Sequence, residues 1–314
     1  MHLENIFFCG FFIYICKKIF MRYLVFIVVY PILWCISMLP FRILYIFSDF
    51  VFLIVYYIIG YRKKLVKSNI ALAMPYLTEK ERIITERKFY KHLCDIFLEM
   101  AKTMTISKTE MNKRYTFTNL EVYKQLESEQ KSIAVMIAHY ASYEWVISLN
   151  HQMNYKGYAI YKRLSNPHFD KLVIEIRSKF KAYLISTREA ATVIQENFDN
   201  NILGSYGFAS DQAPRLLATH YWGKFMGIET NISVGAEKLA KEYNMNVVFI
   251  KTKKVKRGYY QGTFEVLSKD AKSQPDYQIT DKFTRLVEGQ IMEAPEFYLW
   301  THKRWKHRKE DHVK

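Results

Sequence analysis

Through the first sixty residues apolar side chains run almost unbroken, whereas beyond Leu77 they recur with a period. Residues 23–41 read YLVFIVVYPILWCISMLPF, nineteen residues without a charge. That is close to the roughly 20 needed to cross a bilayer core. Lys17, Lys18 and Arg22 precede it. After Arg42 a second stretch, ILYIFSDFVFLIVYYIIG, is broken by Asp49 and closed by Arg62, Lys63, Lys64 and Lys67. No small-residue cleavage site follows the first stretch, which argues against a signal peptide. Residues 21–60 are therefore expected to anchor the chain in a membrane, in one of two forms. Two spanning helices would leave both basic clusters on the cytoplasmic side. One spanning helix followed by a helix lying on the membrane suits Asp49 better. A third apolar stretch, residues 6–16, lies just ahead of Met21, so residues 1–20 read as an extension upstream of the native start.

From Leu77 the pattern becomes that of a water-soluble domain. Thr78 with Glu81 three residues on is a capping box, and Ile83, Ile84, Phe89, Leu93, Ile96 and Phe97 follow at helical spacing. His92 in that helix reads as a surface or half-buried residue. Apolar runs of strand length at 133–137, 158–161, 182–185, 202–208, 246–250 and 262–266 then alternate with helical patterns. Those patterns cover 143–151, 168–180, 188–197, 231–243 and 279–294. Such alternation predicts an α/β fold, a mainly parallel central sheet flanked by helices, formed by residues 61–314 behind the N-terminal anchoring helix.

Charge narrows the partners. The 314 residues carry a net charge of +16, half of them apolar, which points to an anionic partner. No nucleic-acid-binding motif of the usual kinds is present, so an anionic membrane or an acidic carrier protein is expected in place of nucleic acid. Cys9, Cys16, Cys35 and Cys94 have neither metal-ligand nor redox spacing, and nothing asks for an oxidising compartment. A cytoplasmic catalytic part without metal or cofactor is expected.

Chemistry-bearing residues sit where strands give way to helices. In MIAHYASYEW, residues 136–145, His139 ends the apolar run 133–137 and Glu144 follows five positions later. On one helix these would be roughly 140° apart. The pair works with His139 in the turn and Glu144 in the first turns of the helix. Glu144 would then hold one ring nitrogen and leave the other as a base. A second strand end, LGSYGFASDQAP, presents Asp211 and Gln212. Lys162, Arg163, Arg177 and Arg188 lie between them, donors of the kind that an oxyanion or a phosphate needs.

With these motifs in order, the chain from about Met21 to Arg308 resembles the lipid A biosynthesis acyltransferases, the late (lauroyl or myristoyl) enzymes of the lysophospholipid acyltransferase superfamily. RKKLVKSNIALAMPYLTEKER is similar to the family's segment after the anchor, HYASYE to its His-x4-Asp/Glu motif and IYKRLSNPHFD to its Tyr-Arg-Pro-x-x-Asn-Pro stretch. FASDQAP is similar to its Asp-Gln/His segment and APEFYLWTHKRWKHR to its closing signature. The resemblance implies that His139 is the general base, Glu144 its orienting partner, and Arg177 a stabiliser of oxyanion or phosphate. It places Lys162, Arg163, Asn166, Arg188, Asp211 and Gln212 with the substrate. Two departures stand out: Tyr161 is followed by Lys162 and Arg163 without the proline, and lysine cannot bind phosphate bidentately; Tyr140 and Tyr143 bring bulk to the motif.

The implied reaction moves a fatty acyl chain from an acyl carrier protein or coenzyme A thioester to a hydroxyl of a glycolipid, a lipid A precursor, at the inner membrane. Rival readings are an acyltransferase for an amino-acid-based or glycerol-based lysolipid, and a membrane-anchored binding protein without catalysis. The closing WTHKRWKHRKEDHVK mixes Trp300 and Trp305 with basic residues and reads as a membrane-interface face, with His302 and His307 on an exposed basic surface.

Overall fold

The computed structural model describes residues 2–311, with side chains from Phe20 onward. The expected start-site extension, with Cys9 and Cys16, falls outside the described side chains. Helix α1 (His2–Met38) and helix α2 (Phe41–Leu53, running on as a π-helical stretch Ile54–Ile59) form the apolar N-terminal region. Within them Phe20–Met38 and Phe41–Ile59 are each long and apolar enough to cross a membrane by length and composition. Every fourth residue of α2, Leu44, Ser48 and Phe52, is buried, whereas Ile43, Ile46, Phe50 and Leu53 face outward.

Helices α3 (Lys63–Ala73) and α4 (Glu79–Lys102) follow. The capping box of α4 forms, with Glu81 N–H donating to Thr78 Oγ1 at 3.3 Å and Thr78 N–H to Glu81 Oε2 at 2.8 Å. His92 is buried, not on the surface: its Nδ1 lies 3.1 Å from Lys254 Nζ and its ring meets Phe297 edge-on. Both faces of α4 are covered, one by α2 and the other by the C-terminal segment, so helical periodicity alone understates its burial.

The rest of the chain runs α5 (Lys108–Arg114), β1 (Tyr115–Phe117), α6 (Leu120–Ser128), β2 (Ile133–Ile137), a 3-10 helix (Trp145–His151), β3 (Lys156–Tyr161) and α7 (Pro167–Ser178). It continues with β4 (Ala182–Ser186), α8 (Ala190–Asp199), β5 (Gly204–Ala209), β6 (Trp222–Phe225), β7 (Ile228–Asn231), α9 (Gly235–Glu242), β8 (Asn246–Lys256), β9 (Tyr259–Ser268) and α10 (Gln278–Glu293). Seven strands form one sheet in the order β1-β9-β8-β2-β5-β3-β4, all pairs parallel except β8 with β9. The expected α/β fold with a mainly parallel sheet is what the chain adopts.

β2 shows why its sequence has no alternation. It lies between β5 and β8, and Ile133, Ala134, Val135 and Met136 are all buried, as parallel strands covered on both faces must be. Differences from expectation follow from hydrogen bonding that apolar patterning does not register. β8 runs six residues past its apolar core because the lysine-rich end, Lys251 to Lys256, pairs with β9. The helix expected over 231–243 starts at Gly235, since Thr230 and Asn231 belong to the β6–β7 hairpin, whose four-residue strands are too short to show a period.

The tail is not an interfacial face. Trp300, Arg304 and Trp305 are buried, with Trp305 stacked on Phe225 and donating from Nε1 to Phe225 O at 3.2 Å. Trp300 donates to Pro295 O at 2.7 Å. His302 and His307 are half-buried. The aromatic residues alternate with lysines because they pack inward while Lys303, Lys306 and Lys309 point out.

Candidate active site

Strand register brings the first two groups together. β2 and β5 are parallel neighbours with Ile137 opposite Ala209, and Ser210 N–H donates to Ile137 O at 3.2 Å. His139 and Asp211 each lie two residues beyond that pair, so both leave the same sheet edge side by side. His139 Nδ1 is 2.7 Å from Asp211 Oδ1. Asp211 is buried, whereas one fifth of the His139 side chain (20%) is exposed, so the imidazole is reachable from outside. Tyr143 walls the imidazole, its ring centroid 5.0 Å away.

Burial alone would pull the His139 pKa below its ordinary 6.5, but the Asp211 charge, their hydrogen bond and the Glu144 charge outweigh it, so the pKa is raised. Burial likewise pushes Asp211 up, and the His139 charge and hydrogen bond reverse the sign, leaving the carboxyl below its ordinary 3.8. The other oxygen of Asp211, Oδ2, is buried without a hydrogen-bond partner among the described residues.

The hydrogen bond expected between His139 and Glu144 is made to Asp211 instead. Glu144 points to the last turn of α7, where Arg177 grips it: Nη2 lies 2.7 and 2.8 Å from the two carboxylate oxygens and Nε 3.3 Å from Oε2. The pair is half-buried, and Glu144 reaches His139 only through its field. Between them Ala141 takes a left-handed φ of +49°, uncommon for a residue with a Cβ. This bend swings the chain from the strand end into the 3-10 helix and separates the two side chains.

A C-terminal strap holds the bend. Ala141 N–H donates to Phe297 O at 2.9 Å and Leu299 N–H to His139 O at 3.1 Å, with Tyr140 bridged to Tyr298. Asn69 of α3 in turn donates to the carbonyls of both Trp300 and His302 at 2.8 Å. This brings His302 near the pair. Burial lowers its pKa to about 4, with Asp211, Arg304 and His139 also acting on it, so it is neutral at physiological pH. The distinctiveness of the closing signature was the sequence signal for this segment; its role beside His139 comes from the long-range pairing.

The other candidates separate. Lys162 and Arg163 follow β3 and Arg188 follows β4, on the same sheet edge but exposed, and Arg163 pairs with Glu189 at 2.7 Å. Gln212 is half-buried beside Asp211. Asn166 caps α7, accepting from His168 N–H at 3.1 Å, and donates to Arg22 O at 2.9 Å, so both ends of its amide are engaged in structure. Among the described residues no cluster of three or more His, Cys, Asp or Glu could hold a metal ion.

The family described as bacterial lipid A biosynthesis acyltransferase matches residues 17–307 of the chain. No match was found among curated proteins.

Proposed function

Since the chain belongs to the bacterial lipid A biosynthesis acyltransferase family, we propose that it transfers a fatty acyl chain from a thioester to a hydroxyl of a lipid A precursor, with His139 as general base. The observation that carries this reading is the 2.7 Å bond from His139 Nδ1 to buried Asp211. It favours the tautomer that carries a proton on Nδ1 and leaves Nε2 as the basic nitrogen. Nε2 takes the hydroxyl proton as the oxygen bonds to the thioester carbonyl carbon. The tetrahedral intermediate collapses, the C–S bond breaks, and the imidazolium returns the proton to the leaving thiolate.

Glu144 has a different part from the one expected for it. It engages Nε and Nη2 of Arg177, and the guanidinium it holds in place is the donor we assign to an oxyanion or a substrate phosphate. Asp211 supplies the orientation of His139. Lys162, Arg163 and Arg188, on the same sheet edge, suit an anionic headgroup. The donor is an acyl carrier protein or coenzyme A thioester, and the acidic carrier protein suits the +16 charge. In this reading the enzyme works at the inner membrane with its catalytic domain on the cytoplasmic face, and the two apolar helices support the membrane part of it.

Acyl transfer to a lipid A precursor, followed by lipid mass spectrometry, tests the reading. His139→Ala should lower the rate by about 10²–10⁴-fold with the circular dichroism spectrum unchanged. An effect within twofold in a folded variant sinks the mechanism.

A further inference from the structure

We propose that His92 is a positioning residue of the candidate site: clamped by Lys254, it backs the left-handed bend at Ala141 and so sets where His139 and Glu144 point. Its catalytic consequence rests on the reading of His139 as base given above. No step of that reaction uses His92, which is only 3% exposed and out of reach of a substrate. It is nevertheless joined to a buried cation on one side and to the backbone of the motif on the other.

The cation is held by charge. Asp95, three residues on along α4, is buried, with Lys254 Nζ 3.5 Å from Oδ2 and Arg257 Nη2 2.7 Å from Oδ1. Arg257 also reaches Asp49 at 2.8 Å. Lys254 has only 11% of its side chain exposed, and an ammonium so placed needs partners. Besides Asp95 it has His92 Nδ1 at 3.1 Å and the Phe297 ring, whose centroid is 5.4 Å away. An ammonium only donates, so Nδ1 accepts and the ring hydrogen sits on Nε2. Burial first, and the Lys254 charge second, hold the His92 pKa well below its ordinary 6.5. The ring is therefore neutral, in one tautomer, and does not titrate where the enzyme works.

The other side of the ring meets the motif. Nε2 is buried and makes no aligned hydrogen bond among the described residues, and the backbone group that acts on the ring is that of Ala141. The ring stands edge-on to Phe297, centroids 4.7 Å apart, and Phe297 O accepts from Ala141 N–H at 2.9 Å. A left-handed φ in a residue with a Cβ persists only where its surroundings over-determine it. Here the strap takes the N–H of Ala141, and His92 stands behind both strap and bend. Just past the end of α4, Thr103 accepts from Trp145 Nε1 at 3.1 Å. The α4 segment thus backs the motif on both sides of Glu144, at Ala141 before it and at Trp145 after it.

The test uses the full chain in detergent. His92→Phe keeps a ring against Phe297 and removes both nitrogens, whereas His92→Gln restores an acceptor for Lys254 and a donor. Two quantities are measured: steady-state acyl transfer, and the rate at which diethyl pyrocarbonate labels His139, followed by peptide mass spectrometry and needing no substrate. His92→Phe should lower kcat by about 10-fold or more, with KM for the thioester within about twofold of native. It should change the His139 labelling rate by about threefold or more. His92→Gln should bring both quantities most of the way back. A folded His92→Phe that stays within about twofold of native in both overturns the inference, as does a His92→Gln no better than His92→Phe. If His92→Phe does not fold, Lys254→Met decides, since it leaves the ring and removes its clamp. It should change the labelling rate in the same way, and an unchanged rate is the overturning result. A native chain that transfers no acyl group would sink the proposed reaction, while the labelling would still decide the role of His92.

Discussion

His139 sits between two opposing influences, burial and carboxylate charge, and the carboxylates win. As the proposed general base it would be active only when neutral, so kcat/KM should rise with pH through a pKa above 6.5, the ordinary histidine value. Asp211→Asn removes the leading cause of the rise and leaves burial in control. The acid limb of the profile should therefore move below pH 6.5 while the plateau falls by about 10²-fold or more, as orientation is lost. An unmoved acid limb would separate Asp211 from the titration of His139. Stability carries matching signs. The His139 contribution is full below pH 6.5 and fades as pH rises through its raised pKa; that of Asp211 is full above 3.8 and fades as pH falls through its lowered one. Thermal midpoints across pH should show a loss at both ends in the native chain and neither of these in Asp211→Asn. At this scale the residue types of the candidate site were legible, since polar groups at 139 and 211 follow the ends of apolar strands. Which carboxylate meets the imidazole was not, because the answer depends on Ile137 standing opposite Ala209 across two strands seventy residues apart.

The elements that matter most to the site are those that brace it. α3 holds the C-terminal strap through a single side chain, Asn69, which is buried and serves two carbonyls. Asn69→Ala leaves both without that donor and should lower unfolding stability by about 1–3 kcal/mol, measured by urea titration. Because the strap fixes the backbone of His139 through Leu299, kcat should fall while KM for the thioester stays close to normal. The β8–β9 turn is the other brace. Gly258→Val meets both a left-handed φ and the Tyr45 hydroxyl, so it should destabilise the chain by more than 1 kcal/mol or so and loosen α2, read as faster proteolysis between residues 40 and 60. The strands and long helices were legible where burial imposes a period. The strap was not, since Tyr298, Trp300 and Trp305 among lysines resemble an interfacial belt until their partners on β6, α3 and the 139–141 bend are known.

For the whole molecule, charge and apolar surface act together. The +16 excess accompanies an apolar helix pair, so vesicle binding should need anionic lipid and weaken with salt. Lys64→Ala and Lys67→Ala, both exposed and just beyond α2, should each weaken binding to phosphatidylglycerol-containing vesicles by about 1 kcal/mol, roughly fivefold. Vesicles of neutral lipid alone should show no such dependence. Binding that ignores both salt and lipid charge would assign attachment to the apolar face only.

The sequence by itself determined the α/β class, the mainly parallel sheet, the apolar N-terminal region and the positions of the candidate site residues. Those features are local: periodicity over ten residues, a capping box, a polar residue ending an apolar run. Only the tertiary structure decided that Asp211 and not Glu144 holds His139, that Glu144 belongs to Arg177, and that Asp49 is paired with Arg257 against the catalytic body. Each of these joins groups more than thirty residues apart. Their pairing follows from strand register, from the left-handed bend at Ala141 and from the docking of a hairpin on a helix, which no local pattern encodes.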